Sequence, residues 1–119
     1  MSEIGHLALV VSNPDASLAF YRDVFGLRGW VREADDGVVL TTPAGFVLAF
    51  VQGRPADLGM AHFGFRLSGA EAVEARRREF AARGLREVAW WEEPGLTSLK
   101  VADPDGYVVE FFADTRRPV

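Results

Sequence analysis

One ten-residue stretch occurs twice in this chain. Asp103-Pro104-Asp105-Gly106-Tyr107-Val108-Val109-Glu110-Phe111-Phe112 matches Thr42-Pro43-Ala44-Gly45-Phe46-Val47-Leu48-Ala49-Phe50-Val51 slot by slot, with proline, glycine, aromatic and apolar residues in the same places. Upstream of each copy lies a second matching stretch, Gly5-His6-Leu7-Ala8-Leu9-Val10-Val11-Ser12 and Ala61-His62-Phe63-Gly64-Phe65-Arg66-Leu67-Ser68. The two histidines of the protein therefore hold equivalent positions of an internal repeat. Each repeat, at about 55 to 60 residues, is too small to bury a good core alone, so the 119 residues should fold as one domain with modules at 4–53 and 60–113.

The terminal stretch reads as a turn and a strand. Alternation places Val108, Glu110 and Phe112 on one face and Tyr107, Val109 and Phe111 on the other, so both faces look buried apart from Glu110. A carboxylate in such a place needs a cation, a donor network or a metal opposite it. Arg66, which projects to the same face as His62, is one candidate partner.

Each module reads β-α-β-β-β. In the first, a strand at 5–11 puts Leu7, Leu9 and Val11 on one face and His6, Ala8 and Val10 on the other. Asn13 caps a helix that begins at Pro14, and Leu18, Tyr21, Val24 and Phe25 form an apolar stripe ending at Gly26. Strands follow at 29–32, 38–41 and 46–51, broken by Asp35-Asp36-Gly37 and Pro43-Ala44-Gly45, and residues 53–59 link the modules. The second module has a strand at 61–67 and a helix from Ser68-Gly69-Ala70-Glu71, spaced as a capping box with Ser68 as N-cap, to about Arg83. Val73 and Phe80 supply its buried stripe. Further strands lie at 87–91, 97–102 and 107–113; Glu92-Glu93-Pro94-Gly95 reads as an exposed turn and 114–119 as a loose polar tail.

Composition removes several function classes. A net charge of -4 argues against a basic face for nucleic acid, and Arg76-Arg77-Arg78 reads as a solvated helix surface. No apolar run nears the roughly 20 residues of a membrane span, and the N-terminus lacks signal-peptide character, which makes the cytoplasm the default. With no cysteine, disulfides and thiolate chemistry are gone, so any metal must be held by nitrogen and oxygen. No Ser-His-Asp arrangement, phosphate loop or dinucleotide fingerprint is present.

Two βαβββ modules with histidine near the start of each first strand and glutamate on the last resemble the vicinal oxygen chelate superfamily of glyoxalases, bleomycin-resistance proteins, fosfomycin thiol transferases and extradiol dioxygenases. The local signatures are Ser17-Leu18-Ala19-Phe20-Tyr21-Arg22-Asp23-Val24-Phe25-Gly26-Leu27 and Asp103 through Phe111. The resemblance implies an α+β fold of two curved mixed sheets around a cavity, paired in a homodimer. It also implies one divalent metal (iron, manganese, nickel or zinc) held by His6, His62 and Glu110, with His6 from one subunit and the other two from its partner. The fourth ligand slot falls near Ala49 and is apolar, which weakens the proton shuttling of glyoxalases and epimerases. Ala8 stands where thiol transferases carry a threonine. Arg66 is a candidate anchor for an acidic group, and Trp90, Trp91 and Phe112 are candidate pocket aromatics; Trp90 and Trp91 are adjacent on a strand, so only one faces the cavity. The implied function is a metal-dependent enzyme acting on a small oxygen-rich molecule; the alternative is metal-free binding of a drug or metabolite.

Overall fold

A computed structural model describes residues 2–116. The chain divides into two compact units, Met1–Asp57 and Leu58–Val119, with the boundary inside the expected link. The first contains β1 (His6–Val11), α1 (Pro14–Asp23), β2 (Trp30–Ala34), β3 (Gly37–Thr41) and β4 (Val47–Gln52). The second contains β5 (Phe63–Arg66), α2 (Ala70–Ala82), β6 (Glu87–Glu93), β7 (Leu96–Ala102) and β8 (Val108–Asp114). Each has a four-stranded mixed sheet of the same connectivity, ordered β1-β4-β3-β2 and β5-β8-β7-β6. The first and last strands of each unit run parallel and the other pairings are antiparallel.

The repeat is most exact at the turn before each last strand. Thr42 N–H donates to the Phe46 carbonyl at 2.9 Å and Gly45 N–H to the Thr42 carbonyl at 2.8 Å; Asp103 and Gly106 make the same bonds at 2.9 and 3.0 Å. Gly45 and Gly106 have φ of 90° and 88°, a region that a Cβ disfavours. The leading side chain closes each turn. Thr42 Oγ1 accepts from Phe46 N–H at 3.1 Å, while Asp103 Oδ1 accepts from Asp105 and Tyr107 N–H, both at 2.9 Å.

One face of each sheet is covered by its helix. In the first unit Leu9, Val11, Leu40, Leu48 and Phe50 are buried with Leu18, Tyr21 and Phe25, and the rings of Tyr21 and Phe50 lie 5.0 Å apart. In the second, Leu99, Val101, Val109 and Phe111 are buried with Val73 and Phe80, whose ring is 5.1 Å from that of Phe111. The opposite face carries the histidine of β1 and the glutamate of β8. Val108, Glu110 and Phe112 alternate there as half-buried residues with the buried Val109, Phe111 and Ala113, so the Glu110 face is less enclosed than the apolar run implies.

Asn13 caps α1 as its sequence predicts, accepting from Ala16 N–H at 3.1 Å, with Pro14 at the helix start. The capping box does not form. Gly69, extended at φ -178°, is the N-cap of α2, and its carbonyl accepts from Ala72 N–H at 3.1 Å. That shift places Ser68 outside the helix and Glu71 one position too early to reach back. Glu92 and Glu93 extend β6 instead of forming a turn, because β6 and β7 stay paired to Glu93↔Leu96. Asp114 likewise belongs to β8, and Arg116 is fixed by Asp114 at 3.1 Å and Glu93 at 2.9 Å. The end of the expected loose tail, 117–119, lies outside the described residues. In the arginine run, Arg77 grips Glu87 through two hydrogen bonds of 2.8 and 3.1 Å, which raise its pKa above the ordinary value.

Candidate functional site

Glu110 is the centre of a polar cluster on the open face of the second sheet. The antiparallel pairing of β7 and β8 sets Lys100 opposite Glu110 and Ser98 opposite Phe112, so all four share the face. Ser98 Oγ donates to Glu110 Oε2 at 2.5 Å, and Lys100 Nζ lies 3.8 Å from the same oxygen. The other oxygen, Oε1, faces His62 Nε2 at 3.7 Å. The carboxylate is thus divided: one oxygen is anchored to β7 and the other is turned toward the imidazole. The Glu110 side chain is 20% exposed, which leaves it reachable from solvent.

His62 sits just before β5. Its Nδ1 is 3.0 Å from the Met60 carbonyl, and because a carbonyl only accepts, Nδ1 carries the proton of that bond. In the neutral ring Nε2 then keeps its lone pair, directed toward Oε1. Gly64, the register partner of Glu110, keeps the approach open. A Cβ at Gly64 would lie 2.9 Å from the Glu110 carbonyl oxygen and 3.3 Å from Oε1. A cavity of about 350 Å³ adjoins the cluster, lined by Gly59, Met60, His62, Val88, Lys100 and Val108.

The remaining residues singled out in the sequence fall as follows. Arg66 does not pair with Glu110; its guanidinium lies over the Phe112 ring, 5.1 Å from the centroid. Trp91 is opposite Ser98, on the Glu110 face, and 57% exposed. Trp90 points the other way, under the Arg77 guanidinium at 4.2 Å. In the first unit, Ala8 and Ala49 are register partners, with Val39 beside Ala49 in the slot that Lys100 fills in the second. His6, at the head of β1, is exposed. Among the described residues, no group of three His, Asp or Glu side chains is placed to hold a metal ion. Ser98, Lys100 and Gly64 were not evident as site residues in the sequence, although Lys100 is the only lysine of the chain.

Each βαβββ unit carries a histidine at or just before its first strand, and the second adds a glutamate on its last. Over residues 3–111 the chain matches the Glyoxalase/Bleomycin resistance protein/Dioxygenase superfamily, to which it belongs. It is 34% identical over 118 residues to the uncharacterized protein PA2024 of Pseudomonas aeruginosa, covering 89% of this chain and 84% of that one. It is 27% identical over 126 residues to a manganese-dependent 2,3-dihydroxybiphenyl 1,2-dioxygenase of Geobacillus genomosp. 3, covering 99% of this chain but spanning only 38% of the dioxygenase. Among solved structures, lactoylglutathione lyase from Agrobacterium tumefaciens superposes with a TM-score of 0.77 at 26% identity, covering 94% of this chain and 93% of that one. The fosfomycin resistance protein FosX from Listeria monocytogenes shares the fold, with a TM-score of 0.81 at 19% identity over 98% of this chain and 96% of that one.

His62 and Glu110 suit a divalent cation. Two donors about 2.1 Å from one cation at a tetrahedral angle are about 3.4 Å apart, and Nε2 and Oε1 are 3.7 Å apart. The Met60 carbonyl on Nδ1 and Ser98 on Oε2 are the outer bonds that fix such ligands. These two side chains could contribute two of the three or more protein ligands that such a cation takes.

Among the described residues, no helix is long and apolar enough to cross a membrane.

Proposed function

We propose that this chain is a divalent-metal-dependent enzyme acting on a small molecule with neighbouring oxygens, of the broad glyoxalase and dioxygenase type. The observation that carries the reading is the facing of His62 Nε2 and Glu110 Oε1, each fixed by a bond on its far side. A second copy of the chain would supply His6 as the third ligand, making the homodimer the working unit, with both modules acting as one domain in the cytoplasm. A manganese-dependent relative supports a divalent metal, for which manganese, iron, nickel and zinc are the candidates.

When bound, the cation acts as a Lewis acid on the substrate oxygens. The chain's own residues do the rest. Ser98 holds Glu110 in one rotamer, Lys100 offsets part of its charge, and Gly64 leaves room above it. Ala49 offers no second carboxylate in the repeat-related slot, so proton abstraction by that slot is not part of the proposed reaction. Arg66, Phe112 and Trp91, on the same face as Glu110, are the candidate substrate contacts, and Trp90, on the helix side, is left out.

A second reading, metal-free binding of a drug or metabolite, is favoured by one feature: Lys100 already offsets the carboxylate at 3.8 Å. Metal content separates the two. Protein purified without chelator should hold near one equivalent per chain, and Glu110→Ala and His62→Ala should lose it. A wild type that holds none and takes up none of the four metals supports metal-free binding instead.

A further inference from the structure

Lys100 has no counterpart in the first unit, where Val39 occupies its slot. Its ammonium is 3.8 Å from Glu110 Oε2, beyond hydrogen-bonding reach, and that oxygen already takes the Ser98 hydroxyl. The side chain is only 26% exposed, so a long cationic residue is held in a half-buried place without donating to the carboxylate beside it. It also lines the cavity of about 350 Å³, whose other walls are Gly59, Met60, Val88, Val108 and His62. The His62 Nδ1 proton is committed to the Met60 carbonyl. The cavity is therefore apolar with one strong donor, and that donor is positively charged.

We infer that this cavity takes a small monoanionic ligand with an apolar body, its carboxylate bound by Lys100 and its hydrocarbon or aromatic part packed on Met60, Val88 and Val108. The inference rests on the proposed metal reading for net charge alone: Glu110 and Lys100 sum to zero, and a divalent cation on Glu110 adds two positive charges, of which a monoanion neutralises one, whereas the contact of its carboxylate with Lys100 does not need the cation. A neutral ligand of the same shape gains only the apolar walls. Lys100 is thus a specificity-determining residue, set on the strand next to Glu110 and not itself a metal ligand.

The test is a titration of the purified full-length protein with benzoate and with its neutral analogue benzamide, followed by shifts of backbone amide resonances, on wild type, Lys100→Met and Lys100→Arg. Metal content is measured on every sample. The wild type should prefer benzoate; Lys100→Met should weaken benzoate about tenfold or more while leaving benzamide within about twofold, and Lys100→Arg should retain the preference. Because the readout is a ratio of two ligands in one sample, a general loss of folding cannot mimic it. Equal preference in wild type and Lys100→Met, or no benzoate binding in the wild type, overturns the inference whatever the metal content. A preference that is lost in Lys100→Met from protein that holds no metal sustains it while the metal reading falls.

Discussion

Removing the Ser98 hydroxyl isolates the bond that orients Glu110. Ser98 is 3% exposed, and its Oγ is the closest donor to Oε2; the next, Lys100 Nζ, is 3.8 Å away. A hydrogen bond to a charged group contributes about 1.5–3 kcal/mol. Water reaches part of the 20%-exposed Glu110 side chain and replaces some of that, so Ser98→Ala should cost about 1–2 kcal/mol. For a domain of this size the melting temperature should fall by about 4–8 °C. Thermal unfolding is measured in chelator, so that bound metal adds nothing, and repeated in a Glu110→Ala background, where the hydroxyl has lost its acceptor. There Ser98→Ala should cost less than about 0.5 kcal/mol, because distant or unlinked changes add and coupled ones do not. An equal loss in both backgrounds, or no loss in the first, refutes the role of Ser98 as the anchor of the carboxylate.

Asp103→Ala removes the acceptor of two backbone N–H groups in a turn where the side chain is 6% exposed. It should cost about 2–4 kcal/mol in urea unfolding, with Asp103→Asn recovering most of it. Gly64→Ala brings a Cβ within 3.0 Å of the Glu110 Cβ, and should destabilise by about 1–3 kcal/mol and lower metal retention together. Stability and metal content both at wild-type levels would show that Glu110 moves aside freely.

The repeat exposed most of the fold, because each unit uses the same turn chemistry and the same alternation of faces. His62 and Glu110 were legible for that reason, as was the Asn13 cap, which depends only on the four consecutive residues Asn13 to Ala16. Ser98 and Lys100 were not, and Arg66 lies over Phe112 instead of against Glu110, since which side chain opposes Glu110 depends on strand register. The closing bond of the turn, Asp103 N–H to the Tyr107 carbonyl, fixes that register and hence the Lys100↔Glu110 pair. Trp90 and Trp91 stayed ambiguous for a related reason: β6 and β7 shift register between Glu87 and Ala89, so parity counted from the start of the strand does not carry through. Ser68 misled because serine suits a cap wherever it stands, whereas the extended backbone of Gly69 decides where the helix begins.

A mixing experiment tests the shared metal site most directly. His6→Ala and Glu110→Ala chains are prepared separately, each expected to hold no metal, then combined, dissociated and reassembled with zinc or manganese. If His6 of one copy joins His62 and Glu110 of another, the mixed dimer contains one site with both defects and one intact site, and should bind about one metal per dimer. If the mixed dimers bind no more metal than either variant alone, the ligands do not come from two chains, and the proposed site is contradicted.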